Sequence, residues 1–173
     1  KSNSEKSQYK NVIDLGCGTG LAGKGLRSIS ANLTGIDISE NMVAESEKLD
    51  IYDTLIFGDI VEKLNASQDK FDLLLALDVL IYIGHVQSIF KAVHMSCKPD
   101  SLFVFSVEIQ DENGYSLLKS SRYAHSDEYI MDQSNGLFDL VNSQNVRLRK
   151  EGENWIEGRI YIFRAEKLRR MKP

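Results

Sequence analysis

Four aspartates recur at a nearly constant interval through the first half of the chain: Asp14, Asp37, Asp59 and Asp78, separated by 23, 22 and 19 residues. Each closes or follows a short apolar run, where a carboxylate can accept hydrogen bonds from hydroxyls and amines or offset a positive charge. Next to the first of them lies Asp14-Leu15-Gly16-Cys17-Gly18-Thr19-Gly20, in which three glycines alternate. Glycines let backbone turn tightly and approach a ligand closely, and three of them lose chain entropy to no purpose in a loop that binds nothing. Together the glycine loop and the row of acids suit a ligand with hydroxyls and a cationic end.

Hydrophobic periodicity supplies the elements that must carry these residues. Val12–Leu15 reads as a strand ending in the glycines, and Leu21–Ser30 as a helix. Asn32–Ile38 is a second strand, followed by a helix over Glu40–Leu49 that Ser39 can cap. Thr54–Phe57 is a third strand and Ile60–Leu64 a weaker helix. Phe71–Leu77 is an unbroken apolar run, as in a strand buried on both faces. Val86–Cys97 has an amphipathic helical pattern stopped at Lys98-Pro99, and Leu102–Ile109 is a fifth strand. Tyr115–Gly136 is polar, with helical character over Asp127–Gln133. Leu137–Leu148 and Trp155–Phe163 are two strand-like runs joined by Glu151-Gly152-Glu153-Asn154, a hairpin signal.

Alternating strands and helices predict an α/β, Rossmann-like doubly wound fold: a mostly parallel sheet of seven strands with helices on both faces, its last hairpin antiparallel. The aspartate interval is about one α/β unit, so the four carboxylates would meet at the carboxyl edge of the sheet, where open α/β folds bind ligands. The chain is expected to comprise a flexible lead-in (1–10), one domain (11–165) and a basic tail (166–173). The domain has a ligand half over 11–109 and a second half, with the closing hairpin, over 110–165.

With 173 residues, 42% hydrophobic and 27% charged, the composition is that of one soluble domain. Twenty-one basic against 25 acidic side chains give a net charge of −4, without the broad positive field that duplex binding needs. No apolar run approaches the ~20 residues of a membrane span. Cys17 and Cys97 are isolated, which offers neither a disulfide framework nor a metal site and points to a reducing, cytoplasmic compartment. The chain opens Lys1-Ser2-Asn3, as expected of a piece of something longer.

Two ligands compete for the glycine loop. Gly18-Thr19-Gly20-Leu21-Ala22-Gly23 satisfies the dinucleotide pattern G-x-G-x-x-G, with Asp37 where a ribose-binding acid belongs. Against this, Asp14 would face a dianionic pyrophosphate that such a loop is meant to attract. S-adenosylmethionine carries an ammonium, a sulfonium and a ribose diol but no phosphate, and the acids favour it.

The residues 12–20 just described resemble the first motif of class I S-adenosylmethionine-dependent methyltransferases, and Leu33-Thr34-Gly35-Ile36-Asp37-Ile38-Ser39-Glu40-Asn41-Met42 resembles their second. Gly58-Asp59 and Phe71-Asp72-Leu73-Leu74-Leu75-Ala76-Leu77-Asp78 are similar to the later motifs in order and spacing. A narrower resemblance lies in 76–84, Phe105-Ser106-Val107-Glu108 and Ser121-Arg122-Tyr123-Ala124-His125-Ser126. These look like a bacterial subgroup of methyltransferases often linked to an N-terminal region of tetratricopeptide repeats, a region absent from this chain. Lys98-Pro99-Asp100-Ser101 departs from the usual pair of glycines there.

The resemblance implies site roles. Gly16, Cys17, Gly18, Thr19 and Gly20 would carry the methionine part of the cofactor, with Asp14 near its amino end and the Leu77 carbonyl holding the ammonium. Asp37 would accept both ribose hydroxyls, Ile38 and Met42 would pack on adenine, and Asp59 and Ile60 would meet the adenine amino group. The lesser alternatives are a helix cap for Asp37 and a turn residue for Asp59, whereas a methionine on an amphipathic helix, as Met42 is, is usually core. Because the sulfonium is already activated, positioning supplies most of the acceleration, and a base is needed only for an acceptor that must lose a proton. Candidates for that work are Asp78, Tyr82, Tyr123 and His125, with His85 read as a solvated helix start and His94 without a role. Arg122 would neutralise an anionic acceptor or pair with Asp127 or Glu128.

With only Pro99 and Pro173, the chain lacks the Pro-Pro-Tyr and Pro-Cys motifs of DNA methyltransferases. A small-molecule acceptor is the expectation, with no nucleic acid or membrane partner. A protein acceptor, a binding module without turnover and a nicotinamide oxidoreductase are the alternatives.

Overall fold

In the computed structural model, which describes residues 8–166, the alternating apolar runs fold into one twisted sheet. The strands are β1 (Tyr9–Leu15), β2 (Ser30–Asp37), β3 (Thr54–Phe57), β4 (Phe71–Ala76), β5 (Cys97–Ile109), β6 (Tyr115–Leu117), β7 (Tyr123–His125), β8 (Phe138–Glu151) and β9 (Asn154–Ala165). Between them lie α1 (Leu21–Arg27), α2 (Glu40–Glu47), α3 (Ile60–Ala66), a 3₁₀ turn (Leu80–Tyr82), α4 (Gln87–Ser96) and α5 (Asp127–Ser134). The order across the sheet is β3-β2-β1-β4-β5, continued by β9 and then β8, and β1 to β5 are mutually parallel.

The expected seven strands and antiparallel closing hairpin are present. Glu151 pairs with Asn154 across a two-residue turn in which Gly152 has φ 59°, a left-handed value that favours glycine. Two short strands are additional. Glu108 of β5 pairs with Gly158 of β9 and also with Ala124 of β7, so the two partners lie on opposite sides of β5. The β6–β7 ribbon therefore sits on the β4 side, beyond the point where β4 ends at Ala76. Three-residue strands in a polar segment leave no periodic signal, so this ribbon was invisible to pattern.

Element boundaries shift by a few residues. Tyr9 and Lys10, expected in the lead-in, belong to β1, whereas residues 1–7 and 167–173, hence nearly all of the basic tail, lie outside the described residues. β5 begins at Cys97, directly after α4, and takes in Lys98-Pro99-Asp100; Asp100 has φ 62° and the pairing with β4 slips between Phe71 and Leu73. No helix among the described residues is long and apolar enough to cross a membrane.

The main core lies between α4 and the sheet. Phe90 of α4, fully buried, meets Phe103, Phe105, Phe138 and Phe163 edge-on at centroid distances of 5.7, 5.3, 6.1 and 6.4 Å. Edge-to-face contacts of this kind add to the gain from burial alone. Phe103 and Phe105 come from β5, Phe138 from β8 and Phe163 from β9, so one ring joins the parallel half of the sheet to the hairpin. Phe90→Ala should lower unfolding free energy by about 3–5 kcal/mol in urea titration. A loss under 1 kcal/mol would mean that the hairpin is held elsewhere.

Candidate active site

A cavity of about 600 Å³ opens at the carboxyl edge of β1, β2, β3 and β4. Of the residues expected to hold a cofactor, Gly16, Gly18, Asp37, Ile38, Met42, Asp59, Ile60 and Leu77 line it, and so do Asp78 and Tyr82 of the catalytic candidates. The loop after β1 is fixed from below: the amides of Gly16 and Cys17 both donate to the Ile36 carbonyl, at 2.8 and 2.9 Å. Gly18 has φ 53°, and a Cβ built there would find no atom within 4 Å. Its backbone thus faces open space. From α2, the Ser46 hydroxyl donates to the Gly18 carbonyl at 2.6 Å and holds the loop against that helix.

Asp37 ends β2 and is nearly buried. Its Oδ2 accepts from the Gly18 amide and its Oδ1 from the Ser39 amide, both at 2.8 Å. A carboxylate has about four acceptor positions, so two remain. The capping alternative falls to Ser39, whose side chain accepts from Met42 N–H as the N-cap of α2. Asp59 is the N-cap of α3, accepting from the Glu62 amide at 2.9 Å through one oxygen. Ile38 is 71% exposed and Met42 42%, so neither is a core side chain; both present apolar surface at the rim.

Six expected site residues lie elsewhere. Asp14 is outside the cavity lining, buried beneath the loop, where its Oδ2 accepts from the Tyr52 hydroxyl at 2.7 Å. Cys17 is buried and Thr19 exposed, and neither lines the cavity; nor does the buried Gly20. Desolvation and then the charges of Asp14 and Asp37 push the Cys17 thiol up to about 12, an inert state. Tyr123, half-buried, and His125, fully buried, also lie outside the lining. His125 Nε2 is bonded to the carbonyls of Ile83 and Gly84 at 2.9 and 3.1 Å. Among catalytic candidates, then, Asp78 and Tyr82 face the cavity.

Asp78 sits two residues past β4 with φ 56°. The Ser106 hydroxyl accepts from its amide at 2.9 Å, and Arg149 reaches its Oδ1 at 3.2 Å. Arg149 of β8 also binds the buried Glu108 and, at 3.1 Å, Glu151, which in turn takes Arg122. This pairing corrects the expectation for Arg122; Asp127 is instead bound by Arg159. Sequence reasoning missed Arg149, and no local signal marks it, because only the hairpin register brings it to Asp78. Tyr52 was missed because it meets Asp14 only across 38 residues of chain. His94, buried on the edge of Phe138, bonds the Glu166 carbonyl at 3.1 Å, a structural position.

The sequence of residues 13–103 matches the family model described as a methyltransferase domain. That is more than half of the chain, and the chain belongs to this family. Among characterised relatives, the ubiquinone biosynthesis O-methyltransferase of Actinobacillus pleuropneumoniae serotype 7 is 29% identical over 117 residues, 63% of this chain and 50% of the relative. That of Coxiella burnetii (strain Dugway 5J108-111) is 31% identical over 103 residues, 56% of this chain and 43% of the relative. The chain thus spans about half the length of the curated relatives it matches. Among solved structures, the N-methyltransferase NodS from Bradyrhizobium japonicum WM9 in complex with S-adenosyl-L-homocysteine superposes with a TM-score of 0.72 at 15% identity, covering 92% of this chain and 79% of that one. An S-adenosylmethionine-dependent methyltransferase from Clostridium acetobutylicum gives 0.72 at 19%, covering 91% and 85%. At these identities the likeness is one of fold.

Burial pushes the Asp14 carboxyl up to about 6, with the Tyr52 hydrogen bond opposing and the Asp37 charge adding to the rise. The folded state therefore holds this proton more tightly than the unfolded chain. Stability from this group is full below pH about 4 and is lost as pH rises through about 6. Asp14→Asn removes the loss, so urea unfolding should show its stability gaining on wild type by about 2 kcal/mol between pH 4 and pH 7. A constant difference between the two proteins would sink this account of Asp14.

Proposed function

We propose that this domain binds S-adenosylmethionine and directs its methyl group to an oxygen or nitrogen of a small-molecule acceptor. The observation that carries the reading is the convergence of Gly18, Asp37, Ile38, Met42 and Asp59 on one cavity. Each offers what the cofactor needs: backbone with open space before it, two unused acceptor positions for a ribose diol, apolar surface for a base, and a second carboxylate for an amino group. When bound, the cofactor supplies an already activated methyl group. The chain's part is to hold it, keep water out and align the acceptor.

Within this reading Asp37 takes the ribose hydroxyls, Ile38 and Met42 flank adenine, Asp59 and Ile60 meet its amino group, and the Leu77 carbonyl receives the ammonium. Asp14, Cys17, Thr19 and Gly20 act by shaping the loop. An acceptor that must lose a proton has Asp78 and Tyr82 within reach. The ubiquinone O-methyltransferase relatives support a small-molecule acceptor. The tie to the tetratricopeptide-linked subgroup rests on the resemblance of residues 76–84, 105–108 and 121–126 alone.

Against a dinucleotide stand Asp59 and Asp78, since a pyrophosphate in this cavity would lie against acids, with no lysine or arginine among the described residues that line it. Calorimetric titration with S-adenosylhomocysteine, which cannot turn over, tests the reading. Wild type should bind at about micromolar Kd and Asp37→Ala roughly 100-fold more weakly, through loss of charged hydrogen bonds. NADH should give no heat. Binding of NADH alone would overturn the proposal, and product binding without turnover across an acceptor panel would reduce it to a cofactor-holding module.

A further inference from the structure

Between the 3₁₀ turn and α4 the chain runs Ile83-Gly84-His85-Val86 without a strand or helix to pair its backbone. Its first residue, Ile83, nevertheless lines the cavity beside Tyr82. Its polar groups are met by side chains from β7 and α5. His125 Nε2 lies 2.9 Å from the Ile83 carbonyl and 3.1 Å from that of Gly84. The Tyr129 hydroxyl accepts from the Val86 amide at 3.1 Å and lies 3.4 Å from the Gly84 carbonyl.

Both partners of His125 Nε2 are acceptors, so that nitrogen carries the proton. Nδ1 is the bare nitrogen, buried and without a partner among the described residues. The ring is fully buried, stacked on Tyr129 at 5.8 Å and tilted against Tyr115 at 6.1 Å. Gly84 is wedged against the same group: a Cβ there would come within 2.5 Å of Tyr115 and 2.8 Å of Tyr123. The ring is therefore separated from the cavity by the very backbone it binds.

We infer that His125 is a positioning residue: its Nε2–H grips the Ile83 and Gly84 carbonyls and so fixes Tyr82 and Ile83 as the acceptor-side wall. It moves no proton itself. The naming of that wall as acceptor-side rests on the proposed function; the grip does not. The β6–β7 ribbon and α5 then serve to hold a loop that the parallel sheet leaves unsupported.

The test compares wild type with His125→Gln, whose amide nitrogen can still donate, and His125→Leu, which cannot. Nitrogen NMR of wild type should show neutral imidazole protonated at Nε2. The amides of Tyr82 and Ile83, which close the 3₁₀ turn onto Val79 and Leu80 at 3.0 and 2.9 Å, report on the wall by hydrogen exchange. In the Leu variant they should exchange about tenfold faster while β1 and β2 amides keep their rates, as loss of a buried hydrogen bond implies. The Gln variant should recover the slow exchange to within roughly threefold. Equal losses in the two variants, unchanged exchange at Tyr82 and Ile83, or a proton on Nδ1 would each overturn the inference. Failure of wild type to bind the product would instead overturn the functional reading, while tautomer and exchange still decide the role of His125.

Discussion

Because β1 pairs in parallel with both β2 and β4, Asp14, Gly35 and Leu75 lie abreast, and the segments leaving these strands do so at one edge. The glycine loop, Asp37 and Leu77 are neighbours for that reason alone. The β1 loop cannot simply run outward, since the Ile36 carbonyl draws back both Gly16 and Cys17 amides. The reversal needs left-handed backbone at Gly16, Gly18 and Gly20, with φ of 72°, 53° and 84°. At Gly16 the space is closed as well, a Cβ there lying 2.4 Å from Val79. Asp37 then ties the loop to the end of β2, so one carboxylate keeps two sides of the cavity in register.

What was legible in the sequence follows from this geometry. Parallel strands advance by a repeating unit, and a recurring residue type at that period marks one edge, which is why Asp37, Asp59 and Asp78 could be grouped before any fold was known. Asp14 had the right period and the wrong surroundings. It lies one residue before the end of β1 instead of at or after it, where the side chain turns beneath the loop toward Tyr52. Alternation in strands makes a single position decisive, and period alone does not resolve it.

The second half was less legible because its contacts are distant in sequence. Arg149 meets Asp78 across 71 residues and Glu108 across 41. Tyr129 reaches Val86 across 43. No local pattern encodes such pairs. Arg149 is also the cation next to Glu108, which is 4% exposed, and a carboxylate so buried needs a partner. The closing hairpin thus does more than finish the sheet, since it delivers the charge that makes the end of β5 tolerable.

The ribbon of β6 and β7 touches the sheet through two residues of β5, Glu108 and Ile109, past the place where β4 has ended. Lengthening or shortening the chain between Ile109 and Ser126 therefore disturbs no ladder among β1 to β5, and reaches the cavity through the Ile83–Gly84 backbone that His125 holds. The domain is in this respect a fixed socket with an interchangeable faceplate. Selection can redraw what the cavity admits by rewriting one short insertion, leaving the machinery at the other end of the cavity as it was.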